Sequence, residues 1–126
     1  MTRRILVVDD NPDMRSSLLL VLKHLGYEAR EAASGEEALA CVADWRPHIA
    51  LVDLNMPDMS GVEICERALR SVSAQGTTFV ALTGWDGDGP RARSLAAGFA
   101  RHVVKPLSLA GLQELLDSVH ATEPPG

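Results

Sequence analysis

Aromatic residues and cysteines are scarce in this sequence: only 4% of its 126 residues are aromatic and two are cysteines. Cys41 and Cys65 lie in helical patterns without a Cys-x-x-Cys spacing, so we expect small core residues and neither a redox pair nor a thiolate metal site. The longest apolar run spans only residues 18–22, whereas a membrane-spanning helix needs about 20 residues. The N-terminus lacks the apolar region of a signal peptide. These absences predict a cytoplasmic protein that does not engage a membrane.

Basic clusters and metal-binding histidine motifs are also missing. The chain has 12 basic and 17 acidic residues, a formal net charge of -5, and no Lys/Arg cluster interleaved with aromatic residues. Surfaces that bind nucleic acid normally carry such a cluster, so no direct binding to nucleic acid is expected. The four histidines are scattered, which argues against a histidine metal site. A nucleotide-binding Gly-x-x-x-x-Gly-Lys-Ser/Thr loop is absent too.

The sequence does contain five short aliphatic runs that alternate with five stretches of helical periodicity. This alternation is typical of an α/β fold with a parallel sheet, here a doubly wound one with five strands and five flanking helices. Strands are predicted at residues 5–8, 28–31, 49–52, 79–82 and 102–104. The length fits a single domain, which we assign to residues 1–121, with residues 122–126 as a tail or the start of a linker.

Capping residues, glycines and prolines predict where the helices begin and end. Helices are expected after Asn11-Pro12, Ser34, Ser60 and Ser108, and the fourth is limited to residues 91–97 because glycines and a proline crowd its start. Ser34 with Glu37, and Ser60 with Glu63, have the spacing of a capping box. Gly26, Pro47 and Gly76 mark the ends of the first three helices.

Acidic residues follow the first and third predicted strands. The rule of right-handed crossovers favours the strand order 2-1-3-4-5. In this order, the direction in which successive strands are added across the sheet reverses between strands one and three. Ligands of such sheets bind at the carboxyl ends of the strands beside this reversal. Asp9 and Asp10 end the first strand and Asp53 ends the third, so three carboxylates are expected in one crevice.

Three carboxylates held together repel one another, by up to about 4 kcal/mol for a pair about 4 Å apart at an effective dielectric near 20. A divalent cation would offset this repulsion. Because the candidate ligands are all oxygens, Mg²⁺ is the expected ion, with Asp9 and Asp10 holding it and Asp10 as a direct ligand. The alternative is that Asp9 or Asp10 only caps the first helix.

A hydroxyl and a cation are predicted at the same edge. Thr83 ends the fourth strand and Lys105, followed by Pro106, comes after the fifth. Each could have an ordinary role, as a turn residue or a surface lysine, but beside the three acids they suit phosphoryl oxygens. Asp53, at the end of the central strand, is the expected nucleophile toward phosphorus.

The sequence resembles the receiver domains of two-component response regulators over essentially its whole length. Four motifs carry the resemblance: residues 5–10 (ILVVDD), 51–61 (LVDLNMPDMSG), 83–84 (TG) and 103–106 (VVKP). The resemblance implies a flavodoxin-like fold and phosphorylation of Asp53 by a histidine kinase or a histidine phosphotransfer protein. It implies that Mg²⁺ is bound by Asp10, Asp53 and the backbone carbonyl of Asn55. It also implies that Thr83 and Lys105 contact the phosphoryl oxygens.

What such a domain catalyses is its own phosphorylation and dephosphorylation, not turnover of an external substrate. One position departs from the family pattern: His102 stands where many members carry Tyr or Phe as a switch residue. The surrounding residues 97–106 look more like receivers of hybrid sensor kinases. His102 is therefore either a switch or a partly exposed edge-strand residue without that role.

Trp85 is a candidate gate. It lies two residues beyond Thr83, in a segment rich in glycine and polar residues. In receiver domains the water that hydrolyses the acyl phosphate passes this position, so a ring there is expected to exclude it and prolong phosphorylation. The alternative is that Trp85 packs in the core below the fourth helix.

Two other functions were weighed. A phosphohydrolase of the haloacid-dehalogenase type needs an acid two residues after the nucleophile, where this chain has Asn55, which cannot carry a proton. A degenerate receiver that only binds proteins should lack one of Asp10, Asp53, Thr83 and Lys105, but all four are present. The sequence does not identify the kinase, the signal or the downstream effector.

Overall fold

The computed structural model describes residues 3–54, 56, 59–71, 76–84, 88–104 and 108–122. Five strands alternate with five helices along the chain. The strands are Arg4–Val8 (β1), Glu28–Ala32 (β2), Ile49–Asp53 (β3), Thr78–Thr83 (β4) and Arg101–Val104 (β5). The helices are Pro12–His24 (α1), Gly35–Trp45 (α2), Gly61–Leu69 (α3), Asp88–Ala97 (α4) and Leu109–Thr122 (α5). Among these helices, none has the length and apolarity to cross a membrane.

All five strands are parallel and pair in the order β2-β1-β3-β4-β5. This is the predicted doubly wound topology. β1, β3 and β4 are buried almost throughout, as their continuous apolar sequences require for strands that are covered by helices on both faces. Every predicted strand is present, and the observed strands extend one residue further at one or both ends.

The helix starts follow the predicted caps. Asn11 Oδ1 accepts from the backbone N–H of Asp13 and Met14, and the side chains of Ser34 and Ser60 accept from the N–H three residues on. These contacts satisfy backbone donors that the first turn leaves without partners.

Two helix boundaries differ from the prediction. α3 ends at Leu69 rather than near Gly76, because the N–H groups of Arg70 and Ser71 bond only three residues back and tighten the chain into a turn. α4 begins at Asp88, three residues before the predicted start, with Pro90 in its first turn. A proline is tolerated there since its missing N–H has no partner within the helix.

The core has two halves, one on each face of the sheet. One half joins the sheet to α2, α3 and Phe99, and includes Cys65. The other joins it to α1 and α5. Cys65 is fully buried, as expected, whereas Cys41 is only half-buried and packs against the edge of the core.

Candidate functional site

Three carboxylates meet at the carboxyl ends of β1 and β3. Asp53 is the last residue of β3, and Asp9 and Asp10 directly follow β1. One carboxylate oxygen from each lies within 4.8 Å of the others. Asp9 is 1% exposed and Asp53 is 5% exposed, while Asp10 faces solvent. The predicted convergence of three acids in one crevice is therefore present.

Hydrogen bonds of Asp9 and Asn11, and not of Asp10, fix the turn between β1 and α1. Asp9 Oδ1 accepts a hydrogen bond from the N–H of Asn11 at 3.0 Å, which closes the turn, and Asn11 caps α1. Among the described residues, the Asp10 carboxylate accepts no hydrogen bond. The alternative that Asp9 or Asp10 caps the first helix is therefore wrong, because Asn11 occupies the N-cap position.

The β3–α3 connection is held by a close approach of two backbones. The N–H of Gly61 donates to the carbonyl of Leu54 at 3.2 Å. A Cβ at Gly61 would lie 2.7 Å from the carbonyl oxygen of Asp53 and 2.9 Å from the Cα of Leu54. Only a residue without a side chain fits here. Gly61 thus allows the start of α3 to sit directly beside Asp53.

Arg15 anchors the turn from the α1 side. Its Nη1 donates to the backbone carbonyl of Asp9 at 2.8 Å, and its Nε lies 3.6 Å from Oε1 of Glu31 on β2. The sequence assigned no role to Arg15, and Gly61 was only the last residue of the motif at 51–61. Gly61 could have been noticed as a glycine directly after a helix cap, but neither position follows from periodicity.

Thr83 and His102 lie on one face of the sheet. Thr83 is the last residue of β4 and 3% exposed. His102 pairs in register with Ala81, two residues before Thr83, so both side chains are on the same face. His102 is 9% exposed, so the expectation that it is partly exposed is wrong, although β5 is an edge strand as expected.

Three predicted site residues, Asn55, Trp85 and Lys105, lie outside the described residues. The predictions for the Asn55 carbonyl as a ligand, for Trp85 as a gate and for Lys105 as a phosphoryl contact are therefore not addressed by the geometry. Lys105 directly follows β5, whose last residue Val104 pairs with Thr83.

The donor set suits a hard divalent cation. All three convergent groups are carboxylates, and two of them are almost completely buried. Buried like charges at this separation are costly unless a cation or a proton compensates them. Oxygen-only ligands with one solvent-facing member fit Mg²⁺, which keeps several of its waters.

The chain is similar to known signalling proteins over nearly its whole length. A model of the response regulator receiver domain matches residues 5–117. Response regulator MprA of Mycolicibacterium vanbaalenii is 38% identical over 118 residues, which cover 94% of this chain and 49% of MprA. DNA-binding response regulator MtrA of Mycolicibacterium smegmatis is 37% identical over 106 residues, 84% of this chain and 45% of MtrA. The chain thus spans about half the length of these relatives.

Solved structures give the same result for the fold. Chemotaxis protein CheY4 of Vibrio cholerae superposes with a TM-score of 0.90 at 29% identity, covering 94% of this chain and 99% of CheY4. The receiver domain of sensor histidine kinase PA1611 from Pseudomonas aeruginosa has a TM-score of 0.88 at 26% identity, covering 97% and 100%, and carries a magnesium ion in its active site cleft. With its fold, acidic crevice and sequence all in agreement, the chain belongs to the response regulator receiver domain family.

Proposed function

We propose that Asp53 is the residue of this receiver domain that accepts a phosphoryl group from the phosphohistidine of a histidine kinase or histidine phosphotransfer protein. The observation that carries the proposal is the meeting of Asp9, Asp10 and Asp53 within 4.8 Å at the carboxyl edge of the sheet. Asp53 ends β3, which lies between β1 and β4 in the middle of the sheet, so a phosphoryl group on it can be reached from both neighbouring strands.

In the forward step, a carboxylate oxygen of Asp53 attacks phosphorus, an O–P bond forms and the N–P bond to the histidine ring breaks. The electron pair of that bond stays on the ring nitrogen, and the ring, whose other nitrogen carries a proton, leaves as neutral imidazole. Asp53 is now an acyl phosphate. Attack by water on phosphorus breaks the new O–P bond, releases inorganic phosphate and restores the carboxylate, so the domain resets itself.

The ligands proposed for Mg²⁺ are Asp9, Asp10, Asp53 and the backbone carbonyl of Asn55, with Asp10 bound directly. When bound, the ion neutralises the charge that three carboxylates and the phosphoryl oxygens bring together. Hydrogen bonding from the Asn11 N–H and Arg15 Nη1 holds Asp9 and its carbonyl in place. Asp9 is therefore positioned by the fold before any ligand arrives.

The hydroxyl of Thr83 and the ammonium of Lys105 are proposed to bind the phosphoryl oxygens. Thr83 is buried at the end of β4, and a hydroxyl that turns toward a new acceptor can pull on its surroundings. His102, buried on the same face, is the candidate that senses this movement, and Trp85 is the candidate that restricts water. We propose that the signal is read on α4, β5 and α5.

The proposed partners are proteins rather than nucleic acid or membrane. MtrA is named as DNA-binding, but it is about twice as long as the part that this chain matches. We further propose that residues 1–121 form the receiver, that residues 122–126 are a tail or linker, and that the protein acts in the cytoplasm. The hydrolase alternative is not favoured by the family match.

A small phosphodonor tests the proposal. Incubation with acetyl phosphate and Mg²⁺ is expected to add one phosphoryl group to the wild-type chain, detected by mass spectrometry, and to add none in Asp53→Asn or when a chelator is present. Asp13→Asn is the matched control, because Asp13 is an exposed acid in the first turn of α1, and it should be labelled normally. Equal labelling of Asp53→Asn would refute the assignment. A wild-type chain that takes no label would favour the degenerate receiver.

A further inference from the structure

β2 is an edge strand of the sheet. Hydrogen bonds at its two ends show which of its backbone groups face β1 and which face away. The N–H of Glu28 donates to the carbonyl of Arg3, and the carbonyl of Ala32 accepts from the N–H of Asp9. In a parallel strand, alternate residues direct both backbone groups to the same neighbour. Glu28, Arg30 and Ala32 therefore face β1, and the N–H and C=O of Ala29 and Glu31 point away from the sheet.

Beside this edge, the described residues leave an open space. A cavity of about 360 Å³ at β2 is lined by Lys23, Tyr27, Glu28, Ala29, Arg30 and Trp45. The guanidinium of Arg30 lies 4.7 Å from the centre of the Trp45 ring, which holds this cation at the edge. The outward N–H and C=O groups of Ala29 and Glu31 are thus accessible to another strand.

The charges on β2 select the strand that fits, because Glu28 and Arg30 carry opposite charges two residues apart on one face. If a second copy pairs antiparallel about Arg30, the two Arg30 side chains oppose each other, and if it pairs about Glu31, two carboxylates do. Both arrangements are repulsive. Pairing about Ala29 places Glu28 opposite Arg30 of the second copy, and Arg30 opposite its Glu28. Of the registers centred on Ala29, Arg30 and Glu31, only this one is self-complementary.

We propose that β2 pairs with β2 of a second copy of this chain, antiparallel, about a two-fold axis at Ala29. The two Ala29 residues would exchange two hydrogen bonds. Two more would run from the N–H of each Glu31 to the carbonyl of Tyr27 in the other copy. The reverse bonds would not form, because the Tyr27 N–H already donates to the Leu22 carbonyl. The pairing closes on itself, so it yields a dimer and not a fibre.

The charges also explain why the dimer is weak and specific. Charged residues and a short strand normally protect a sheet edge from unwanted pairing, and β2 has both. Here they leave one register open and block the neighbouring ones. Five residues per strand form a small interface, so we expect an equilibrium between monomer and dimer that depends on concentration.

Charge reversal gives a direct test by sedimentation equilibrium of the full chain. Glu28→Arg and Arg30→Glu each place like charges opposite one another and should weaken association about tenfold. An equimolar mixture of the two variants restores both opposite pairs, and so does the double variant within one chain. Both should associate about as well as the wild type.

Glu114→Arg on α5 is the control, since it changes the net charge as Glu28→Arg does at an exposed position off the β2 edge. It should associate like the wild type. Circular dichroism and thermal unfolding would show that each variant is folded, which is expected because residues 28 and 30 are exposed. A wild-type chain that is monomeric at every concentration would overturn the proposal, as would a mixture that associates no better than its components.

Discussion

Arg15 on α1 donates from Nη1 to the backbone carbonyl oxygen of Asp9 at 2.8 Å, and so fixes the turn that carries two of the three site carboxylates. The side chain is 13% exposed, and its Nε lies 3.6 Å from Oε1 of Glu31. Among the described residues this Nε makes no hydrogen bond. The contact of Nε with Glu31 is thus an ion pair only, whereas Nη1 makes a hydrogen bond to Asp9.

Arg15→Met is expected to lower the free energy of unfolding by about 1–3 kcal/mol, because the Asp9 carbonyl loses its donor. It should also weaken Mg²⁺ binding, since the adjoining carboxylates are no longer fixed. Urea denaturation and isothermal titration calorimetry measure the two effects.

Glu31→Gln is the matched control, because it removes the charge of the ion pair and leaves the Arg15–Asp9 hydrogen bond in place. Glu31 is 46% exposed, so the change should cost no more than about 1 kcal/mol and leave Mg²⁺ affinity nearly unchanged. If Glu31→Gln and Arg15→Met lowered the affinity equally, the ion pair and not the Asp9 contact would hold the turn.

Asp10→Asn should weaken Mg²⁺ binding by about tenfold or more, because it removes a direct anionic ligand. In chelator, the free energy of unfolding of the same variant should equal that of the wild type or exceed it by up to about 1 kcal/mol, because one member of a repulsive cluster is neutral. Calorimetry with Mg²⁺ and thermal unfolding without it test both statements. Asp13→Asn should change neither quantity, and a lower melting temperature of Asp10→Asn in chelator would contradict the cluster.

Gly61→Ala is expected to destabilise the fold by about 1–3 kcal/mol, because the new Cβ would meet the Asp53 carbonyl oxygen and the Leu54 Cα, which are backbone atoms with little room to move. Phosphorylation should also slow, since Asp53 is displaced. Gly76→Ala is the control: nothing lies within 4 Å of its Cβ, so its stability should stay within about 1 kcal/mol of the wild type. Equal stabilities of the two variants would mean that α3 can shift without cost.

The fold was predictable because its local signals agree with its tertiary structure. Apolar runs gave the strands, and the caps at Asn11, Ser34 and Ser60 gave three helix starts. The misplaced end of α3 shows the limit of this reasoning. Gly76 is the nearest strong helix terminator, but the chain turns at Arg70 and Ser71, where no residue type signals it.

The acidic crevice was predictable for a different reason. The carboxyl ends of parallel strands must meet at one edge, so residues 9, 10 and 53 converge once the strand order is known. Arg15 and Gly61 act instead through contacts to backbone carbonyl oxygens. Such contacts depend on how closely two elements pack, which neither periodicity nor spacing contains.

The thiol of Cys65 should make stability depend on pH in alkaline solution. Burial and, to a smaller extent, the nearby Glu66 carboxylate together raise the pKa of Cys65 from 9.0 to about 12. Between pH 9 and about 12 the unfolded chain therefore loses this proton while the folded chain keeps it. Rising pH then favours unfolding, by up to about 1.4 kcal/mol per pH unit from this group.

Cys65→Ala isolates this contribution, because other groups that titrate in the same range are common to both chains. The stability advantage of the wild type over Cys65→Ala is expected to be constant below pH 9 and to shrink as pH rises. It reverses if the packing energy lost in Cys65→Ala is smaller than the stability that the wild type loses through deprotonation of the unfolded chain. Burial also raises the pKa of the Cys41 thiol, but this residue is only half-buried and Arg30 opposes the shift. Cys41→Ala, the matched control, should therefore show a shallower dependence in urea denaturation across the same range. An advantage over Cys65→Ala that did not vary with pH would mean that the thiolate is tolerated inside the core.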